Sequence, residues 1–288
     1  MTTIDIAARE LAVGPAAAAA SRQARANLAL RLVKGLLSAA LSVGVVLFAW
    51  WFFLEYFQVK AFIGKSPSEV WSFLFTADGA AESRHLIFEE AKVTIRDAFL
   101  GLASGTIAAV LAAIAFNAWR SVERTLLPIA MVLRSVPLVA MTPLIVLIFG
   151  RDILGVTVIA GIVTFFPTLV NVSLALRSTP KESIDLLRAY GASPTKTLFK
   201  VQIPSALPAL FASLRVAAPL ALVGALLAEW LATGKGLGYA IAQSEALSKY
   251  NDMWARVVFI TLFSVLLYKL IGAVERMVLA RFAPIYNR

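Results

Sequence analysis

The residues of this chain that could carry out chemistry are few. None of the 288 residues is cysteine, and His85 is the single histidine. These counts exclude thiolate metal sites and cysteine nucleophiles, and they leave little room for a Ser-His-Asp triad. Gly64-Lys65-Ser66 does not form a phosphate-binding loop, because Val59 stands where that motif needs its first glycine. The sequence therefore predicts no catalytic site, no metal site and no phosphate-binding loop in this chain.

Three ionisable residues, Arg134, Arg215 and Glu229, lie inside long apolar stretches. In one continuous helix Arg134 would lie about 15 Å deep, too far for its side chain to reach water. Residues in such places mark solute paths or paired contacts between helices. We expect Arg134 and Arg215, with the helix-breaking Pro137, to face a translocation path or its gate, and Glu229 to lie at its outer mouth. Salt bridges that only lock helix packing are the alternative.

The apolar stretches predict an all-α membrane protein. Hydrophobic residues make up 60% of the chain, which excludes an ordinary soluble domain. A crossing needs about 20 apolar residues, and the windows that meet this length are 35–54, 95–117, 125–149, 153–176, 205–231 and 254–274. The sequence thus predicts six transmembrane helices in a domain over 35–276, with tails at 1–34 and 277–288. Arg256 and Lys269 lie near the ends of the last window, and we expect both to extend towards water.

The basic residues predict the orientation. Connections 1–34, 117–124, 177–204 and 275–288 carry fifteen Lys and Arg residues, against seven in 55–92, 150–152 and 232–253. Because basic residues are retained on the cytoplasmic side, both termini should be cytoplasmic. The net charge of +10 is therefore a topology pattern with some attraction to anionic lipid. It lacks the clustered basic and aromatic face of a nucleic-acid binder.

Local motifs predict further helices and contacts. Ser66-Pro67-Ser68-Glu69 is a capping box with proline at the first helical position, which predicts a helix at the outer interface. Gly101 and Gly105 have the spacing of a close helix contact, within the chain or with a second copy. Gly234-Lys235-Gly236-Leu237-Gly238 is interpreted as a flexible outer turn.

The cytoplasmic connection 177–204 is long, charged and well capped. A short helix should follow Pro180 and end at Gly191, which tolerates the left-handed conformation of a helix C-cap. Ser193 and Pro194 then supply the N-cap and first position of a second helix. The pattern predicts a stiff helix–turn–helix outside the membrane.

This connection resembles the cytoplasmic loop of the permease subunits of ABC-type importers. That loop reads Glu-Ala-Ala, three residues, Gly, nine residues, Ile, one residue, Leu-Pro. Here the corresponding residues are Asp185-Leu186-Leu187, then Gly191-Ala192-Ser193 at the same spacing, then Val201, Gln202, Ile203 and Pro204. The residue types differ, but an acid, apolar side chains and the glycine are kept.

Other stretches resemble the nitrate, sulfonate, taurine and pyrimidine-precursor branch of that family. They occur in the order expected for the branch between about residues 60 and 275. They are Ser66-Pro67-Ser68 with Trp71, Thr94-Ile95-Arg96, Arg134-Ser135-Val136-Pro137, Pro143-Leu144, Phe149-Gly150, Phe165-Phe166-Pro167, and Glu229 ahead of Gly236-Leu237-Gly238.

The resemblance implies a type I ABC importer permease in a bacterial inner membrane. Its partners would be a second permease copy in a homodimer, two cytoplasmic ATPase subunits and an external solute-binding protein. ATP and magnesium would be bound by the ATPase, so this chain would need no cofactor and would catalyse translocation alone. The residues implied to couple it to the ATPase are Asp185, Leu186, Leu187, Gly191, Ala192, Ser193 and Pro204.

The solute is less determined. The membrane windows carry more cations than acids, which weakly favours an anion such as a sulfonate or nitrate; a neutral pyrimidine-like precursor stays open. The residues counted are Arg96, Arg134, Arg215, Arg256 and Lys269 against Asp97 and Glu229. An ion-coupled secondary transporter is the alternative class, but it should show broken helices and carboxylates at mid-membrane depth. A membrane hydrolase is disfavoured because no Gly-x-Ser-x-Gly motif is present.

Overall fold

The computed structural model describes residues 30, 33–35 and 37–282, and this part contains helices and no strand. The all-α prediction is confirmed. Most of the predicted N-terminal tail and residues 283–288 lie outside the described residues. The chain forms two compact units, Met1–Glu69 and Val70–Arg288.

The helices are numbered in chain order. They are α1 (Val33–Tyr56), α2 (Pro67–Phe75), α3 (Ala80–Ala118), α4 (Arg120–Ser135), α5 (Leu138–Phe149), α6 (Ile153–Arg177), α7 (Lys181–Ala189), α8 (Pro194–Thr197), α9 (Ile203–Ala228), α10 (Gly236–Ala246) and α11 (Tyr250–Phe282). Two π-helical turns, Leu198–Gln202 and Glu229–Thr233, flank α9. Five helices, α1, α3, α6, α11 and the continuous stretch Pro194–Thr233, are long and apolar enough to span a membrane, and a bent α4–α5 pair would make six.

The window 125–149, predicted as one transmembrane helix that Pro137 interrupts, forms two helices. Helices α4 and α5 meet at an angle of 108°. Pro137 lacks the amide hydrogen that a continuing helix needs, and it forces the preceding Val136 into an extended conformation. The proline therefore divides one apolar window into two helices.

Two of the predicted transmembrane helices are shorter than the helices observed. Helix α3 begins at Ala80 rather than at residue 95, and α11 continues to Phe282, beyond the predicted end at 274. The additional turns carry charged residues, which hydropathy excludes from a membrane window but which favour a helix outside the hydrocarbon. An example is the pair between Lys92 Nζ and Glu89 Oε1, 2.7 Å apart and three residues apart along α3.

The predicted capping box of α2 is confirmed. The backbone N–H of Ser66 donates to Glu69 Oε2 at 2.8 Å, and the backbone N–H of Glu69 donates to Ser66 Oγ at 3.3 Å. The Ser66 backbone hydrogen bond lowers the pKa of Glu69, because it stabilises the charged carboxylate. Proline at the first helical position completes this start.

The core of the second unit is built where α3, α6 and α9 touch through small residues. A Cβ added to Gly101 would overlap Ala160, and one added to Gly105 would overlap Gly161 and Thr164. The Thr164 hydroxyl lies 3.2 Å from the Gly101 carbonyl oxygen, to which it donates. The predicted glycine contact is therefore confirmed, and it lies within the chain. Such close approach maximises dispersion contact, which is the main attraction between helices in lipid.

Gly101→Leu should destabilise the α3–α6 contact. The new side chain cannot fit against Ala160, and overpacking of this kind costs about 1–3 kcal/mol. We expect a lower Tm for the detergent-solubilised protein by intrinsic fluorescence. Ala108→Leu, at an exposed position of the same helix, is the matched control. Equal Tm values for the two variants would contradict this packing.

Candidate functional site

The segment between α6 and α9 has the helix–turn–helix structure that its sequence predicts. Helix α7 ends at Ala189, and Gly191 follows it two residues later with a φ of +74°. The N–H of Gly191 donates to the Arg188 carbonyl and that of Ala192 to the Leu187 carbonyl, both at 2.9 Å, which is a Schellman motif. Ser193 Oγ accepts the backbone N–H of Lys196 at 3.3 Å and caps α8. The N–H groups of Tyr190, Gly191 and Ala192 all have acceptors in α7, so the turn is held against that helix.

The exposed surface of this segment carries three large apolar side chains among charged ones. Leu186 is 59% exposed, Tyr190 83% and Phe199 62%. Asp185 is also exposed, whereas Leu187, Ala192 and Pro204 are half-buried and Ser193 serves as the cap. Tyr190 and Phe199 were not among the predicted coupling residues; large aromatic side chains in an otherwise polar connection were the available indication. Three exposed apolar side chains beside an acid suit a protein partner better than water.

Two polar contacts fix this segment to the neighbouring helix ends. Arg177, at the end of α6, forms an ion pair with Glu123 in the first turn of α4. Asn117, at the end of α3, donates through Nδ2 to Gln202 Oε1 at 3.0 Å. The end of the unit that carries α7 and α8, here called the coupling end, therefore joins α3, α4, α6 and α9.

Glu229 lies at the opposite end, and its side chain is fully buried. Its Oε2 accepts the Thr94 hydroxyl at 2.9 Å and the Gly238 N–H at 2.8 Å, and Thr94 Oγ1 accepts the Leu237 N–H at 2.9 Å. These four residues, the Glu229 cluster, join α3, α9 and α10. The carboxyl group is enclosed between the Thr94 hydroxyl and the Gly238 N–H, and the expectation that Glu229 lies at the outer mouth of the path stays a prediction.

The glycines after Glu229 explain this enclosure. A Cβ on Gly236 would overlap the Glu229 carboxyl group, and one on Gly238 would overlap the backbone of Leu226. Gly236 also has a φ of +83°. Its interpretation as part of a flexible turn is wrong: Gly236-Leu237-Gly238 is buried and begins α10. The glycines are needed because the backbone approaches a buried carboxyl group.

Arg256 is buried at the same end, so the prediction that it extends towards water is wrong. Its guanidinium binds Glu90 through two hydrogen bonds, Nε to Oε2 at 2.7 Å and Nη2 to Oε1 at 3.0 Å. Its Nη1 donates to Asp252 Oδ1 at 3.1 Å and lies 3.4 Å from Ser244 Oγ. Helices α3, α10 and α11 are thereby joined by one arginine. The sequence placed Glu90 in the connection 55–92. Because α3 begins at Ala80, Glu90 is instead part of this helix, beside Arg256.

The other two membrane arginines differ in their surroundings. Arg215 forms an ion pair with Glu275 of α11, and its guanidinium lies over Tyr268, 5.9 Å from the ring centroid. This contact agrees with the packing alternative for Arg215. Arg134 lies in the last turn of α4, close to the break at Pro137, and its exposed side chain forms no ion pair with any described residue. Its assignment to the translocation path stays a prediction.

Comparisons with known proteins decide the family. Residues 101–283 match the family described as binding-protein-dependent transport system inner membrane component. A probable ABC transporter permease protein of Haemophilus influenzae is 31% identical over 233 residues, covering 81% of this chain and 93% of the relative. The chain belongs to this family. It is a multi-pass membrane permease subunit of an ABC importer.

Other relatives of this ABC permease are named for different solutes. The formylaminopyrimidine transport permease ThiX of Halalkalibacterium halodurans is 29% identical, covering 68% of this chain and 79% of the relative. The putative aliphatic sulfonates transport permease SsuC of Bacillus subtilis is 26% identical, covering 67% and 70%. In fold, the permease is similar to a chain of an inward-facing MetNI methionine ABC transporter structure. The TM-score is 0.53 at 22% identity, over 70% of this chain and 99% of the other.

Glu229→Ala should loosen the start of α10. The Thr94 hydroxyl and the Gly238 N–H would lose their acceptor, and such unsatisfied buried groups cost about 1–3 kcal/mol. We expect trypsin to cleave the solubilised permease after the exposed Lys235 at least about fivefold faster, because cleavage follows local opening. Glu245→Ala, on the exposed side of α10, is the control. Unchanged cleavage in Glu229→Ala would contradict the role of the cluster.

Proposed function

We propose that this permease pairs with a second copy of itself to form the translocation path for a small organic anion. Two cytoplasmic ATPase subunits would drive it, and an external binding protein would deliver the solute. The observation that carries the proposal is the stiff segment between α6 and α9 with an exposed acid and exposed apolar side chains, Asp185, Leu186, Tyr190 and Phe199. Such a face fits a groove on a partner subunit. ATP and Mg²⁺ would be bound by that partner.

The proposed orientation puts the coupling end in the cytoplasm. The connections predicted to be cytoplasmic hold fifteen of the basic residues, and α7 and α8 contribute Lys181, Arg188 and Lys196. Both termini would then be cytoplasmic in a bacterial inner membrane. The end that holds the Glu229 cluster would face outwards.

The geometry supports a mechanism for coupling. Residues 178–202, between α6 and α9, are here called the coupling segment. Helix α8, the π-helical turn and α9 are continuous over Pro194–Thr233, so a displacement of the coupling segment would be carried along one helical rod. The Schellman turn at Gly191 keeps α7 fixed against that rod. Closure of the ATPase subunits on nucleotide would move α7 and α9 together, and α9 ends at the Glu229 cluster on the outer side. A stiff linkage is required because a flexible loop would absorb the movement.

We infer the class of the solute from the charged residues of the membrane windows. Relatives are named for an aliphatic sulfonate and for a formylaminopyrimidine, so the family alone permits both an anion and a neutral pyrimidine. Of the cations counted in the membrane windows, Arg96, Arg215 and Arg256 are paired with acids, so the preference for an anion rests on Arg134 and Lys269. An ion-coupled mechanism would need acids open to ions, but Glu229 is enclosed and Glu275 is paired with Arg215. The ATP-driven mechanism is therefore the one we propose.

The proposal is tested by transport. The permease would be reconstituted in proteoliposomes with the ATPase and binding protein encoded by neighbouring genes. We expect uptake of radiolabelled ethanesulfonate that needs all three proteins and ATP, with little uptake of formylaminopyrimidine. Uptake by the permease alone would overturn the ATP-driven mechanism, and the reverse solute preference would overturn the anion.

Changes in the coupling segment should separate ATP hydrolysis from uptake. Gly191→Pro removes the left-handed turn, because proline fixes φ near −65°. Asp185→Arg reverses the exposed acid of α7. For each variant we expect uptake to fall by at least about tenfold while some ATP hydrolysis remains, which corresponds to about 1.4 kcal/mol of lost coupling. Glu245→Arg, an equal charge reversal at the opposite end, is the control. Normal uptake in both coupling variants would exclude this segment as the linkage.

A further inference from the structure

We propose that a cavity at the outer end of the permease binds the anionic group of the solute through Arg151 and Lys235. The inference rests on the proposed function and adds a site to it. The cavity encloses about 460 Å³, within the range of about 300–1,000 Å³ that is typical of small-molecule sites.

Three separate parts of the chain form the walls of this cavity. Val93, Arg96 and Asp97 come from α3, and residues 151–153 with Val156 come from the start of α6. Ala232, Thr233 and Lys235 come from the turn that leads into α10. The Glu229 cluster fixes this turn to α3, so the third wall is held against the first. A cavity made by three rigidly joined elements is preorganised for a ligand.

The charges in the cavity are unequally satisfied. Arg96 donates to Asp97 Oδ1 through Nε at 2.9 Å and lies 2.8 Å from it through Nη2, so these two charges offset each other. Arg151 and Lys235 form no ion pair with any residue of the described part of the chain. Asp152 is the remaining acid, and it lies at the N-terminus of α6, where the helix dipole offsets a negative charge. The cavity therefore has a net positive charge and two cations free to bind an anion.

The rest of the lining suits the organic part of such a solute. Val93, Ile153, Val156 and Ala232 give the cavity apolar surface beside its cations. An inorganic ion would leave this surface in contact with water, whereas an alkyl sulfonate or carboxylate would cover it. We therefore assign the site to a small organic oxyanion. Arg151 would supply two N–H groups in a plane, a geometry that matches an oxyanion, and Lys235 would supply a point charge.

The location explains how the site would serve transport. Under the proposed orientation, the cavity is at the side where the binding protein releases its solute. Its walls include the turn after α9, and α9 is continuous with the coupling segment. A movement of α9 that begins at the ATPase would therefore reach the third wall of the cavity. The solute would then be held at the outer end until the path opens.

The experiment measures protection of Lys235 from chemical modification. The full-length permease is placed in phosphatidylcholine nanodiscs and treated with an amine-acylating reagent, with or without ethanesulfonate at constant ionic strength. Mass spectrometry gives the modification rate of each lysine. At a concentration about ten times Kd we expect Lys235 to react roughly tenfold more slowly, because only the unoccupied fraction reacts. Lys249, exposed at the same end but outside the cavity, is the internal control and should react at an unchanged rate.

Variants and other probes make the result specific. Arg151→Gln should abolish the protection of Lys235, and Lys249→Gln should preserve it. Formylaminopyrimidine should give no protection. Nanodiscs that contain phosphatidylglycerol distinguish a lipid phosphate from a soluble oxyanion: protection by that lipid, with none by ethanesulfonate, would overturn the proposal.

Two further results would also overturn the site: equal protection of Lys235 and Lys249, or protection that survives Arg151→Gln. The measurement uses neither ATPase nor binding protein. ATP-dependent uptake without protection of Lys235 would therefore refute this site and leave the proposed function intact, whereas failed uptake would refute that function separately.

Discussion

The close approach of α3, α6 and α9 is the contact on which the rest of the permease depends. Lipid is as apolar as leucine, so burial of apolar surface gives helices little reason to associate in a membrane. Dispersion between closely packed atoms has to provide the attraction. Gly101, Gly105 and Gly224 each lie where a Cβ would overlap a residue of α6. The absence of a side chain at these three glycines lets the backbones of α3, α6 and α9 pack together. This packing sets where the two ends of each of these helices lie.

Polar contacts then fix the two ends of that core. At the coupling end, Asn117 binds Gln202 and Glu123 pairs with Arg177. At the other end, Glu229 binds Thr94 and Gly238, and Arg256 binds Glu90. Buried polar groups of this kind are costly when one partner is missing, so they specify one arrangement of the helices. Between them lie mainly small and apolar residues, with Arg215 paired to Glu275 of α11.

An apolar core with polar contacts at both ends suits a protein that changes conformation while it remains folded. Helix α9 is in contact with the core along its length, begins at the coupling segment and ends at the Glu229 cluster. A rigid rod with polar anchors at its ends can transmit a displacement over the thickness of a membrane. The α4–α5 pair differs from it: α9 stays continuous although it contains Pro208 and Pro219, whereas α4 and α5 separate at Pro137 with an angle of 108°.

Local motifs were predictable because their causes are local. The capping box at Ser66 and Glu69, the left-handed Gly191 and the Ser193 cap each depend on hydrogen bonds within a few residues, and all three are present as predicted. The apolar windows indicated a membrane protein for a similar reason: each polar or charged residue has its own free-energy cost in hydrocarbon, whatever its distant neighbours are. Helix ends were less predictable, because hydropathy indicates which residues can lie in the hydrocarbon, and a helix can continue beyond them.

The roles of the charged residues were decided by tertiary structure. The sequence did not reveal that Glu229 is enclosed, and it predicted that Arg256 reaches water, because their partners Thr94 and Glu90 come from distant parts of the chain. The membrane windows correctly indicated that these charges are exceptional. Whether a charge is enclosed, paired or open depends on which helices become neighbours. By itself, therefore, the sequence determined the all-α membrane fold and the helix–turn–helix between α6 and α9, whereas the three-dimensional packing decided which charges are paired with one another.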